Sequence, residues 1–252
     1  MKNRIRRIRS RLKKMCAAAA AVILFSVMLL SAALLAGKYR SDQRGKEEYQ
    51  FTRKIAGLAE SKSGAASEAD FFLPLPDESR LSQINPDYSG WIFIPGTSVN
   101  YPVVYPKDNS EYLNKTFEGE KNSCGCLFFE ASCPPFSSEN TVIYGHNMKS
   151  GEMFGSLKKY REEEFFRKNK TIYLCFGGAW TEYQVQKAYL TASRDKAPYE
   201  SGSEDSGQTY LTLSTCHGKE QRLIIQAEIE KTGNTEKKVI EQAKTKIFLT
   251  LC

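Results

Sequence analysis

Polarity along the chain changes period twice, and each change predicts a different kind of element. Ala17 to Gly37 runs for 21 residues without a charged side chain. As a helix rising 1.5 Å per residue it spans roughly 31 Å, the thickness of a bilayer core. A transmembrane segment at 17–37 is therefore expected, preceded by a basic segment at 1–16. Phe51, Ile55 and Leu58 then recur at i, i+4 and i+7, one apolar stripe of a short helix. That helix is expected within a stalk spanning residues 38–72, where Ser61 to Ala69 is small and polar.

From Leu73 onward the texture becomes β-rich, punctuated by Pro74, Pro76, Pro86, Pro95 and Pro102. Strands are expected at Trp91–Ile94, Val99–Tyr105, Cys126–Phe129, Thr141–Tyr144, Thr171–Phe176, Tyr183–Leu190, Tyr210–Thr215 and Arg222–Ile229. Eight short strands separated by turn signals suit a closed or nearly closed barrel, or a sandwich, over residues 73–230. One helix is expected near Glu152–Tyr160, with Met153, Phe154 and Leu157 on its inner face. A C-terminal extension, 231–252, carries Val239, Ile240, Ala243 and Ile247 as a weak amphipathic pattern.

Charge sharpens the first segment. The 252 residues hold 36 Lys and Arg against 29 Asp and Glu, a net +7. Eight of those bases (Lys2, Arg4, Arg6, Arg7, Arg9, Arg11, Lys13 and Lys14) precede the apolar run, and no acid accompanies them. The remaining 28 bases face 29 acids, so the bulk of the protein is near neutral and has no nucleic-acid signature. The positive-inside rule places the N-terminus in the cytoplasm and everything after Lys38 outside, as a single-pass protein of the cell membrane. A cleaved signal peptide is the close competitor. Its apolar region normally spans about 7–15 residues, which favours an uncleaved anchor here. Of seven cysteines, Cys124, Cys126 and Cys133 offer soft ligands without a clear fourth, so a local disulfide or plain thiols outrank zinc.

Only two histidines exist, His146 and His217. Alternation along Thr212-Leu213-Ser214-Thr215-Cys216 puts Thr212, Ser214 and Cys216 on one strand face, and His217 on the other. His146 follows the strand Val142-Ile143-Tyr144-Gly145 at the start of a loop, where a rigid scaffold can hold a reactive group. If residues 217–221 turn as a hairpin, Arg222 becomes the cross-strand neighbour of Cys216, with Cβ atoms about 5 Å apart. A cation there favours a thiolate and can hold a developing oxyanion. Singly, each residue has a bland reading: a small buried thiol, a hydrogen-bonding histidine, a solvated arginine. Their combination in an extracellular β domain points to thiol chemistry.

The stretches Tyr144-Gly145-His146-Asn147-Met148, Thr212-Leu213-Ser214-Thr215-Cys216 and Arg222-Leu223-Ile224-Ile225 resemble the sortases, membrane-tethered cysteine transpeptidases of Gram-positive bacteria. Asn85-Pro86-Asp87-Tyr88-Ser89-Gly90-Trp91-Ile92, Pro95-Gly96-Thr97 and Val99-Asn100-Tyr101-Pro102-Val103-Val104 are similar to the class B branch, and the resemblance covers about residues 80–229. It implies an eight-stranded β-barrel with a few short helices. It also implies Cys216 as nucleophile, His146 as general acid and base, and Arg222 at the substrate carbonyl. Ser214 and Thr215 are expected as groove walls, and Tyr144 and Asn147 as substrate contacts.

The substrate implied is a secreted surface protein with an Asn-Pro-x-Thr-x type sorting signal, and the acceptor is a peptidoglycan-precursor amine such as the lipid II cross-bridge. Thiol acyl transfer needs no metal or organic cofactor. Three features depart from the class B pattern: Thr191 to Gln208 is short and polar where a sizeable helix is usual, cysteines are numerous, and the 231–252 tail extends past the last expected strand. Pilin polymerisation, an extracellular cysteine peptidase and a non-catalytic tethered binding domain are the rival readings. An L,D-transpeptidase lacks its usual Ser-x-Gly-Cys surroundings here.

Overall fold

The computed structural model describes residues 2–58, 73–200 and 209–229. The polar 61–69 segment, residues 201–208 of the expected loop, and the 231–252 extension lie outside the described residues. The chain forms two compact units, residues 1–44 and 45–252. Helix α1 (Lys2–Ile55) contributes residues to both. In the first unit, the stretch from Ala18 is long and apolar enough to cross a membrane. Its large side chains lie bare, Leu35 being 70% exposed, which is a surface suited to lipid rather than water.

The second unit is a closed barrel of eight strands: β1 (Tyr88–Phe93), β2 (Asn100–Val104), β3 (Leu127–Phe129), β4 (Asn140–Tyr144), β5 (Thr171–Phe176), β6 (Ala179–Ala192), β7 (Tyr210–His217) and β8 (Gln221–Ile229). Around the barrel they run β1-β2-β3-β4-β7-β8-β6-β5, with β5 returning to β1. The expected count is met and closure excludes the sandwich. β2 with β3 and β4 with β7 are parallel, and the other pairs are antiparallel. β6 runs well beyond the expected Tyr183–Leu190 because it serves two neighbours, β5 through 179–184 and β8 through 183–192. Gly177-Gly178 joins β5 to β6 with both φ positive (63° and 78°), the two-residue turn whose twist matches the flanking strands. Trp91, Ile143, Tyr183, Leu211, Leu213 and Leu223 are among the fully buried side chains of the core.

Two short helices, α2 (Glu78–Ile84) and α3 (Glu163–Lys168), flank the barrel. The helix expected near 152–160 is a 3-10 helix, Phe154–Arg161. Phe154, Leu157 and Tyr160 are buried at intervals of three, the spacing that eclipses side chains in a 3-10 helix and differs from the 3.6-residue α period. Met153, Phe154 and Leu157 do face inward as expected.

The apolar stripe expected at Phe51, Ile55 and Leu58 holds at Leu58 and is corrected at Phe51. Phe51 is 56% exposed and Ile55 half-buried, while Leu58 is buried as expected, and the rest of the buried face is Gly45, Tyr49, Thr52 and Ala56. A Cβ on Gly45 would lie 2.8 Å from Cys124 Sγ, so the helix approaches the barrel closely at this point. Residues 45–58 thus pack on the barrel, where the sequence suggested a stalk. Cys124, Cys126, Cys133, Cys175 and Cys216 form no disulfide with one another, which removes the local disulfide among them. Among the described residues no three His, Cys, Asp or Glu side chains are grouped to hold a metal.

Candidate active site

The site is built where the parallel pair β4/β7 meets the β7/β8 hairpin. β7 and β8 are joined through Gly218-Lys219-Glu220, and this turn sets Cys216 opposite Arg222 and His217 opposite Gln221. Cys216 is exposed at the end of a strand whose preceding five residues are buried. On the other side, β4 pairs with β7 in a register that makes Tyr144 level with Ser214. His146 follows two residues on, just past the last pair of this register. Two hydrogen bonds tie the following residues to β7: Gly145 N–H donates to Ser214 O at 3.2 Å, and the Asn147 side-chain Nδ2 donates to Cys216 O at 2.8 Å.

The imidazole is tied behind. His146 Nε2 lies 2.6 Å from the Leu113 carbonyl oxygen. A carbonyl only accepts, so Nε2 carries the proton and Nδ1 is left to exchange one with a substrate or thiol. The His146 carbonyl accepts from Phe154 N–H at 3.0 Å. Leu113 ends a single 3-10 turn (Glu111–Leu113) whose Tyr112 hydroxyl donates to Asp87 Oδ2 at 2.7 Å and accepts from Asn85 Nδ2 at 3.0 Å.

Arg222 is half-buried beside the thiol strand. Its guanidinium carbon lies 5.7 Å from the Tyr144 ring centroid, and Nη1 donates to Ser214 Oγ at 3.4 Å. Tyr144 in turn donates to Glu130 Oε2 at 2.7 Å. Burial raises the Glu130 carboxyl, but hydrogen bonds from Tyr144, Asn109 and Ser132 outweigh it and hold the group below the ordinary carboxylate range. Burial and this carboxylate push the Tyr144 phenol far up, so it stays a donor.

Ser214 lies on the Cys216 face as expected, but it is fully buried under Tyr199, whose hydroxyl is 2.9 Å from Ser214 Oγ. Thr215 is a correction. It shares the inward face with Leu211 and Leu213, is 1% exposed, and its Oγ1 has no hydrogen-bond partner. Period-two alternation places it in the barrel interior, away from any groove wall. Sequence reasoning missed Glu130, Tyr199 and the Leu113 carbonyl. A main-chain acceptor leaves no trace in residue type, while Tyr199 follows Pro198 in the short 3-10 turn Ala197–Tyr199. Beyond Tyr144, along the outer face of β4, a cavity of about 350 Å³ is lined by Glu130, Cys133, Val142, Tyr199 and Glu200.

Comparison with known proteins gives one consistent result. The Sortase domain family profile matches residues 92–230. Sortase B of Listeria monocytogenes is 30% identical over 184 residues, covering 61% of this chain and 74% of that protein. A Staphylococcus aureus sortase B–substrate complex superposes with a TM-score of 0.64 at 26% identity, covering 77% of this chain and 100% of that one. A sortase B complexed with triglycine superposes with a TM-score of 0.63 at 27% identity, covering 76% and 100%.

Proposed function

The chain belongs to the sortase family of cysteine transpeptidases, and from that premise we propose that Cys216, His146 and Arg222 carry its acyl transfer. The observation that carries the assignment is the register: Arg222 opposite Cys216 across the hairpin, with His146 two residues past the Tyr144–Ser214 pair of β4/β7. Cys216 passes its thiol proton to His146 Nδ1, and the resulting thiolate attacks the scissile carbonyl carbon of a sorting signal as the carbonyl π electrons move onto oxygen. Arg222, already beside Ser214 and Tyr144, is the cation that meets this oxyanion. Collapse of the tetrahedral intermediate breaks the C–N bond, and His146 gives its proton to the departing amine. A thioester remains. The incoming amine loses a proton to His146 as it attacks, and expulsion of the thiolate leaves a new amide.

Tyr144, Asn147 and Ser214 are assigned to peptide contacts. Asn147 also ties down the Cys216 backbone, and Ser214 is reached when Tyr199 yields to a peptide. The signal is of the Asn-Pro-x-Thr-x type, carried by a secreted surface protein, and the acceptor is a cell-wall amine of the lipid II cross-bridge. Relatives solved as a substrate complex and with triglycine support a peptide substrate and an amine acceptor. The apolar helix from Ala18 anchors the enzyme, and the eight bases ahead of it support an N-in orientation with the barrel outside.

The test is acyl transfer by the full-length chain in detergent micelles, with an Asn-Pro-x-Thr-x peptide and triglycine, followed by mass spectrometry. An amide product and a thioester on Cys216 are expected. His146→Ala should abolish turnover and His217→Ala should be mild. Hydrolysis that ignores added amine would make the protein a peptidase instead, and activity persisting in His146→Ala would remove the acid–base assignment.

A further inference from the structure

The segment Gly45–Ala56 of α1 and its end touches both loops that frame His146, and the reaction as derived leaves this contact unused. Tyr49 is 3% exposed, and its hydroxyl donates to the Gly125 carbonyl at 2.6 Å. Burial, with the Cys126 and Cys124 sulfurs nearby, pushes that phenol well up, so the donor is permanent. Gly125 has φ +61°. A Cβ there would lie 2.6 Å from Tyr112 O, 2.8 Å from Leu113 O and 3.0 Å from His146 Cδ2. Only a residue without a side chain fits behind both the imidazole and the carbonyl that accepts its proton. Next in the chain, Cys126 N–H donates to Tyr112 O at 3.1 Å, tying the two arms of the 112–126 loop together.

The same tyrosine supports His146 from the opposite side. Its ring meets Tyr101 edge-on at 5.2 Å, and the Tyr101 hydroxyl accepts from Met153 N–H at 3.3 Å. The adjoining Phe154 N–H holds the His146 carbonyl. Lys46, one turn earlier on α1, pairs with Glu152 at 3.3 Å in that loop.

We infer that Tyr49 and Gly125 are positioning residues for His146, fixing the Leu113 carbonyl that keeps the imidazole in its Nε2–H form. Plain helix docking accounts for a buried tyrosine, but it gives no reason for the contacts to converge on one imidazole from two sides. The inference rests on the proposed acid–base role of His146, because a tautomer held in place matters only if Nδ1 exchanges the proton.

The experiment uses the full-length protein in micelles, with kcat and KM for acyl transfer to triglycine and the imidazole nitrogen NMR shifts, assigned against His217→Gln. Tyr49→Phe removes one hydrogen bond, so kcat should fall about 3- to 10-fold with KM within about twofold. The His146 nitrogen shifts should move toward one another as the second tautomer enters. Gly125→Ala should cost more, on the order of 10²-fold, since it displaces the acceptor itself. Phe51→Ala, on the exposed face of the same helix, should match the parent. Parent-like kcat in Tyr49→Phe overturns the inference, as does a lower kcat with unchanged imidazole shifts, which marks support of the fold alone. An active His146→Ala would instead overturn the assignment beneath it, whatever Tyr49→Phe does.

Discussion

The two faces of β7 obey one alternation and have opposite uses. Leu211, Leu213 and Thr215 point into the barrel, where burial is permanent because closed strands surround them. Thr212, Ser214 and Cys216 point outward, and there burial depends on what lies on top. Thr212 Oγ1 and Ser214 Oγ are covered by hydrogen bonds to Asn140 and to Tyr199. Cys216, one step further, is exposed. The inner face thus buries surface for stability, whereas the outer one ends in the exposed thiol proposed as nucleophile, next to polar residues covered by a single short turn.

Four substitutions press on this division, in falling order of effect. Cys216→Ala should eliminate transfer and the trapped thioester while leaving the unfolding midpoint nearly unchanged, as a mass spectrum and a thermal melt would show. Residual thioester would mean that another of the thiols is the nucleophile. Arg222→Ala should lower kcat/KM by about 10²–10³ if the guanidinium meets the oxyanion. A loss confined to KM would reduce it to a binding contact.

Leu213→Ala should reverse the pattern. Opening a cavity among inward side chains costs about 2–5 kcal/mol in denaturant unfolding, with turnover per folded molecule retained. A matching loss of kcat would show that the inner face reaches the chemistry. Thr215→Val is the mildest. It replaces a buried hydroxyl without a partner by a methyl group, so stability should hold or rise by up to about 1 kcal/mol. Activity should stay at the parent level, and a clear loss would return Thr215 to the groove.

Much of this division was readable along the chain. The β-rich runs with proline and glycine between them located all eight strands, since alternation and turn chemistry are local. The hairpin pairing of Cys216 with Arg222 followed from loop length, and the scarcity of histidine singled out His146 as the proposed acid and base. Thr215 was misplaced because it was grouped with its neighbour Ser214, although strand alternation sends adjacent side chains to opposite faces. Phe51 was misplaced because apolar size was taken to choose the buried helix face. The partner surface instead admits Gly45 by its smallness, takes Tyr49 by its hydroxyl and buries Leu58 of the expected stripe.

Residue order was enough for whatever depends on near neighbours: the uncharged run of bilayer length, the strands, the tight hairpin and the thiol at its end. Contacts between distant stretches settled the remainder, closure of the sheet among them. The carbonyl that sets the His146 tautomer, the tie from Asn147 to the thiol strand and the helix behind that carbonyl join residues 33, 69 and 76 positions apart. Such contacts are made largely by backbone groups common to every residue, so chain folding, rather than side-chain identity, selects which of them meet.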